Sequence, residues 1–65
     1  MNVCIINTEH QHEKHYQIMV PVRSGFNHVY PGKLFTIEQA QQLCIDNNFT
    51  VLKIGTLYQC ADYTL

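Results

Sequence analysis

The stretch from Phe35 to Gly55 constrains the fold most, because it holds a helix start, a helix end and a change of hydrophobic period. Thr36 and Gln39 have the spacing of a capping box, in which each side chain accepts a hydrogen bond from a backbone N–H of the first turn. Asn47 and Asn48 can supply the left-handed residue that ends a helix. Between these signals lies an apolar stripe at helical spacing: Ile37, Ala40, Leu43 and Cys44. The pattern predicts one helix that leads into one strand.

Strand patterns lie on both sides of this helix. Asn2 to Asn7 is almost continuously apolar, which indicates a strand covered on both faces or a central strand of the sheet. Tyr16 to Val22 alternates in the way typical of one buried face, and Pro21 places that part at a sheet edge or a bulge because proline cannot donate to a ladder. Phe26 to Tyr30 is a candidate for a short third strand, and Phe49 to Ile54 is the strand after the helix.

Turn signals complete the prediction. Arg23 to Gly25 is a turn, Pro31-Gly32 fits a type II turn, and Gly55-Thr56 suits a two-residue hairpin that returns through a last strand from Leu57 to Asp62. The predicted fold is therefore α+β, with a small antiparallel β-sheet of four or five strands and one helix on one face. Its element order is ββ(β)αββ, and residues 1–65 form a single domain.

Size and charge restrict the function. A chain of 65 residues buries only about 60% of its unfolded surface, so a deep catalytic pocket is not expected. Only 14% of the residues are charged, and the net charge is −1. The four basic residues are scattered along the chain: Lys14, Arg23, Lys33 and Lys53. Direct nucleic-acid binding, which depends on clustered positive charge, is therefore not expected, whereas a protein partner or a second copy is.

Targeting signals are missing from the sequence. The N-terminus has no basic region and no cleavage site of a signal peptide, and no apolar run reaches membrane-spanning length. We therefore expect a cytoplasmic protein, with no membrane association. The chain has three cysteines, Cys4, Cys44 and Cys60, which cannot all pair with one another. We therefore interpret them as free, buried apolar residues in a reducing compartment.

No arrangement of residues predicts catalysis or a cofactor. Cys44 lies on the apolar stripe of the helix and Cys4 in an apolar strand, where packing explains them better than reactivity. His10, His12 and His15 lie within six residues of a polar loop and could hold a metal ion as an alternative function. Their spacing matches no standard zinc motif, so we predict a non-enzymatic protein without bound metal.

Aromatic residues are the main candidates for binding. In the predicted C-terminal hairpin, Tyr58 and Lys53 share a second, partly apolar face that one helix cannot cover. Tyrosine offers a large contact area and a hydroxyl group, and it is enriched at protein interfaces. The predicted binding residues are Tyr58, Tyr30, Tyr63, Lys53 and Arg23. The edge of the strand from Tyr16 to Val22 is the competing site.

In size, charge and element order, the chain resembles the small phage-encoded inhibitors of bacterial defence systems, such as anti-CRISPR proteins. The segments that carry the resemblance are Thr36-Ile-Glu-Gln39 and Phe49-Thr-Val-Leu-Lys-Ile-Gly55, about a third of the chain. The resemblance implies a protein in the host cytoplasm that inhibits a bacterial effector complex by covering its surface. It transfers no functional residue. The alternatives are a homodimeric structural protein and a metal-dependent regulator that uses the histidine loop.

Overall fold

The computed structural model describes residues 1–8 and 14–65. Its elements are the strands β1 (Asn2–Asn7), β2 (Tyr16–Val22) and β3 (Gly25–His28), the helix α1 (Ile37–Asp46), the strand β4 (Thr50–Thr56) and the short helix α2 (Leu57–Cys60). A single 3-10 turn, Ala61–Tyr63, comes after α2. The predicted α+β class, with a small sheet and one main helix, is confirmed.

The four strands form one sheet in the order β3-β2-β1-β4. The β1–β2 and β2–β3 pairs are antiparallel, whereas β1 and β4 are parallel. The sheet is thus mixed, not purely antiparallel as the sequence predicts. The reason is the connection through α1, because a helical crossover returns the chain to the sheet in the direction of β1.

The predicted edge position is wrong for the strand Tyr16 to Val22 as a whole, although the part around Pro21 extends beyond β1. β2 lies inside the sheet, with β1 on one side and β3 on the other. Pro21 is tolerated there because the ladder with β1 ends at the pair Cys4–Met19, two residues before the proline. Toward β3, Pro21 stands opposite Phe26. The missing N–H therefore interrupts no described pair with β1.

The helix α1 begins and ends as its signals predict. The N–H of Gln39 donates to Thr36 Oγ1 at 3.1 Å, and the N–H of Thr36 donates to Gln39 Oε1 at 3.0 Å. At the other end Asn48 has a φ of 58°, and the N–H of Phe49 donates to the carbonyl of Cys44 at 2.9 Å. This pattern is a Schellman motif, which satisfies carbonyls of the last turn and turns the chain toward β4.

The core has two layers, one on each face of β1. Val3 and Ile5 face α1 and pack with Ile18, Ala40 and Cys44. On the opposite face, a second cluster consists of Cys4, Ile6, Met19 and Cys60. Burial on both faces explains why β1 is apolar at successive positions instead of alternating. The prediction that all three cysteines are free and buried is confirmed.

The predicted C-terminal hairpin does not form. β4 stays paired with β1 through Ile6–Gly55 and Asn7–Thr56, so Gly55 and Thr56 belong to the strand and not to a turn. Leu57 to Cys60 is the helix α2, where the sequence predicts a fifth strand. A Cβ at Gly55 would collide with the side chain of Gln59, which folds back over the strand end and would have to shift.

Candidate protein-binding surface

The helix α2 presents the candidate surface and is positioned by a second capping box. The N–H of Gln59 donates to Thr56 Oγ1 at 3.2 Å, and the N–H of Thr56 donates to Gln59 Oε1 at 2.9 Å. Cys60 is fully buried against the sheet, which anchors the end of the helix. With one end capped and the other buried, the residues between them have a defined position on the surface.

Tyr58 is the most exposed large apolar side chain of the described residues. It is 89% exposed, and its neighbour Leu57 is 55% exposed. Both lie beside a groove of about 600 Å³ that β1, β2 and α2 form together. The floor of the groove is apolar through Ile6 and Met19, and polar groups line its rim. We call this region, Leu57 and Tyr58 with their adjoining groove, the α2 surface.

A second groove, of about 380 Å³, lies next to Tyr58. Its lining includes Lys53 from β4 and Asp62 from the turn after α2, one residue of each charge. The structure therefore brings Tyr58 and Lys53 to one place, although through a helix and not through a shared strand face. An aromatic side chain between two concave regions has the form of a binding anchor with a polar rim.

The other predicted binding residues are distributed over the molecule. Tyr63 is 39% exposed and belongs to the same C-terminal segment as Tyr58. Arg23 is exposed in the turn between β2 and β3, where the N–H of Leu65 donates to the carbonyl of Val22. Tyr30 lies elsewhere, since it packs in the core layer under α1 with its ring edge-on to Phe35 at 5.6 Å. Tyr30 is thus not part of the α2 surface.

The two edges of the sheet are β3 and β4, and on its outer side β4 has no strand partner among the described residues. On its α1 face Val51 and Ile54 are 37% and 41% exposed. The strand carries an extra residue, Leu52, between the pairs Val3–Val51 and Cys4–Lys53. A bulge and a lysine in the middle of an edge strand are features that discourage pairing with another chain.

The three thiols are all held in the neutral form. Burial, then the charge and hydrogen bond of the neighbouring Cys60, raise the pKa of Cys4 from 9.0 to about 11. Burial also raises the pKa of Cys44 and of Cys60, although a hydrogen bond from Cys4 and the charge of Lys53 oppose the shift at Cys60. Because the thiolate is the nucleophile, these cysteines have low reactivity in the folded protein.

The alternative metal site falls largely outside the described residues, because His10 and His12 lie between positions 8 and 14. His15 is described, and its ring stacks against that of Tyr16 at 4.6 Å. Within residues 1–8 and 14–65, no group of three or more histidine, cysteine, aspartate or glutamate residues is placed to hold a metal ion. The metal hypothesis therefore stays a prediction about the loop.

Sequence reasoning misses Leu57 and the groove floor. The missed signal is Thr56 with Gln59, which repeats the spacing of Thr36 with Gln39. It is hidden because a helix of four residues is too short to show an apolar period. Ile6 and Met19 are predicted only as strand residues, since their sides of the sheet depend on tertiary packing.

No protein-family model, curated protein or solved structure matches this chain. None of the helices in the described part of the chain has the length and apolar character needed to cross a membrane.

Proposed function

We propose that this chain is a non-enzymatic binding module that occupies the surface of a partner protein through the α2 surface. The single observation that carries the proposal is Tyr58, 89% exposed on a helix whose end is anchored by a fully buried cysteine. A scattered exposed side chain is ordinary in proteins. Tyr58 differs because Leu57 is exposed beside it and a partly apolar groove adjoins both.

The chemistry of the region favours a folded protein as the partner. The grooves beside Tyr58 carry one basic and one acidic residue, Lys53 and Asp62, which gives no field of one sign for a nucleic acid. An apolar pocket on the partner would receive the tyrosine ring, and the polar rim would exclude water around it. On the basis of the resemblance to anti-defence inhibitors, the partner we propose is a bacterial defence or nucleic-acid-processing complex, inhibited by surface occlusion in the host cytoplasm.

Self-association through β4 is the second candidate function. The open edge and the exposed side chains of Val51 and Ile54 favour it. Lys53 and the bulge at Leu52 oppose it, because they disturb a ladder between two copies of the strand. Native mass measurement over a range of concentrations separates a monomer from such a dimer, and Ile54→Lys should abolish a dimer that forms at this edge.

A capture experiment with matched variants tests the proposal. Wild type, Tyr58→Ala and Ile45→Ala are immobilised and exposed to bacterial lysate, with Ile45 chosen because it is 68% exposed on α1. We expect a captured partner to bind Ile45→Ala like wild type and Tyr58→Ala about 30-fold more weakly, which corresponds to about 2 kcal/mol. Addition of the free chain should then inhibit the purified partner. Equal capture by all three proteins would contradict the proposed surface.

A further inference from the structure

Cys4 and Cys60 come from opposite ends of the chain and meet in the core layer under α2. Each has 0% exposure, and both belong to one apolar cluster with Ile6 and Met19. The thiol of Cys4 donates a hydrogen bond to the sulfur of Cys60, which also accepts one from the N–H of Gly55. Cys44 lies on the other face of the sheet, in the layer under α1. The structure thus separates one contacting pair of thiols from a third, isolated one.

We propose that Cys4 and Cys60 form an intramolecular disulfide in the presence of a small-molecule disulfide, and that this bond ties α2 to β1. In the first step one protein thiolate attacks the small disulfide, which releases one small thiol and leaves a mixed disulfide. In the second step the other cysteine attacks the protein sulfur of that mixed disulfide and releases the second small thiol. One S–S bond is broken for the one formed, and the two protein protons end on the released thiols.

Access to the buried pair requires local opening of α2. This helix has four residues and is held through Cys60, so it can detach without unfolding the sheet. The thiols are neutral while buried, and a neutral thiol reacts slowly. Oxidation should therefore be slow in the closed protein and faster in mild urea. Formation of the disulfide does not require that any partner protein binds the α2 surface.

The disulfide would reduce the conformational freedom of the unfolded chain. It links residue 4 to residue 60 and closes most of the chain into a loop, which restricts the unfolded state more than the folded one. The folded state already holds both cysteines in one buried cluster, so the bond joins residues that the fold has brought together. The oxidised protein should therefore be more stable than the reduced protein, with α2 unable to detach.

Tryptic peptide mapping tests the proposal directly, because each cysteine lies on a separate tryptic peptide, 1–14, 34–53 or 54–65. The protein is incubated with oxidised glutathione in mild urea and returned to buffer, and remaining thiols are alkylated. We expect peptide 1–14 to be joined to peptide 54–65 and Cys44 to be alkylated. The intact oxidised chain, before alkylation, should be lighter than the reduced chain by two hydrogen atoms. The melting temperature should rise by about 10 °C or more and return after reduction.

Three variants serve as controls. Cys44→Ala should form the same bond, whereas Cys4→Ala and Cys60→Ala should not. If a variant does not fold, the mapping of the wild type still decides the question. A disulfide that contains Cys44, glutathione retained on the protein, cross-links only between chains, or free thiols after treatment in mild urea would each overturn the proposal.

Discussion

The two helices begin with the same device and lie on opposite faces of the sheet. Thr36 with Gln39 starts α1, and Thr56 with Gln59 starts α2, with both reciprocal hydrogen bonds present in each case. The helices differ in length and in burial beyond the cap. α1 continues for ten residues and buries Ala40 and Cys44, whereas α2 continues for four residues and buries Cys60.

The comparison of the two helices shows that the residues that start a helix are not those that make it stable. A capping box satisfies N–H groups of the first turn but supplies little of the energy that orders a helix. Most of that energy comes from burial of an apolar face, which α1 has along its length and α2 has at its end. We therefore regard the α1 face as the stable part of the domain and α2 as the part that opens first.

The largest expected loss of stability comes from substitutions in β1, where two neighbouring residues pack on opposite faces of the sheet. Ile5 packs under α1 with 0% exposure, and Ile6 packs under α2 with 2% exposure. Ile5→Ala should lower the free energy of unfolding by about 2 to 5 kcal/mol, enough to unfold so small a domain. Ile6→Ala should cost less, because an open groove adjoins it.

Thermal denaturation monitored by circular dichroism measures both effects. The matched control is Ile54→Ala, since Ile54 is the strand partner of Ile5 but is 41% exposed. Its melting temperature should stay closest to that of wild type. Equal losses for Ile5→Ala and Ile6→Ala would show that α2 covers its face as well as α1 does, and the comparison would fail.

An intermediate effect is expected at alkaline pH. Unfolded thiols ionise near 9.0, whereas the pKa of Cys4 is about 11 in the folded protein. The unfolded chain loses this proton first, so the contribution is complete below pH 9.0 and is lost as the pH rises toward about 11. Each unit of pKa difference corresponds to about 1.4 kcal/mol.

Urea denaturation at about pH 8 and about pH 11 measures this loss. Cys4→Ala should lose less stability than wild type over this interval, because it lacks the ionising group. Burial also raises the pKa of the Cys44 thiol, which lies under α1. The loss of stability between the two pH values should therefore also be smaller in Cys44→Ala than in wild type. A loss in Cys4→Ala as large as that of wild type would assign the alkaline effect to other groups.

The smallest effect compares the two caps. Thr36→Ala should lower global stability by about 1 kcal/mol, because α1 belongs to the core of the domain. Thr56→Ala removes the equivalent side-chain hydrogen bond, from the N–H of Gln59 to Thr56 Oγ1, but should release only α2, with almost no change in melting temperature. Hydrogen exchange of the amides from Leu57 to Cys60 should accelerate in that variant alone. Similar global losses in both variants would show that α2 unfolds together with the sheet.

Much of the fold can be predicted because its signals are local. The cap at Thr36, the left-handed Asn48 and the turn at Gly32, with a φ of 76°, need only neighbouring residues to take effect. The strand pairing cannot be predicted in the same way. A strand sequence does not record its neighbours, so the sequence alone predicts β2 at an edge and β4 in an antiparallel hairpin, and the sheet has neither.

The candidate site can be predicted only in part for the same reason. The sequence predicts Tyr58 and Lys53 together, and they do line one groove. It also predicts Tyr30 as a binding residue, but Tyr30 packs on Phe35 under α1. The exposure of an aromatic residue depends on which elements cover it, and this is a property of the assembled layers.

The sequence by itself determined the class of the fold, the limits of α1 and the burial of β1 on both faces. These features arise from hydrogen bonds and apolar patterns within a few residues, which act before distant segments meet. Tertiary structure alone decided that β4 runs parallel to β1, that Thr56 begins a helix, and that Cys4 meets Cys60. Each depends on contacts between distant parts of the chain, because burial against the sheet selects among local structures that the sequence leaves equally available.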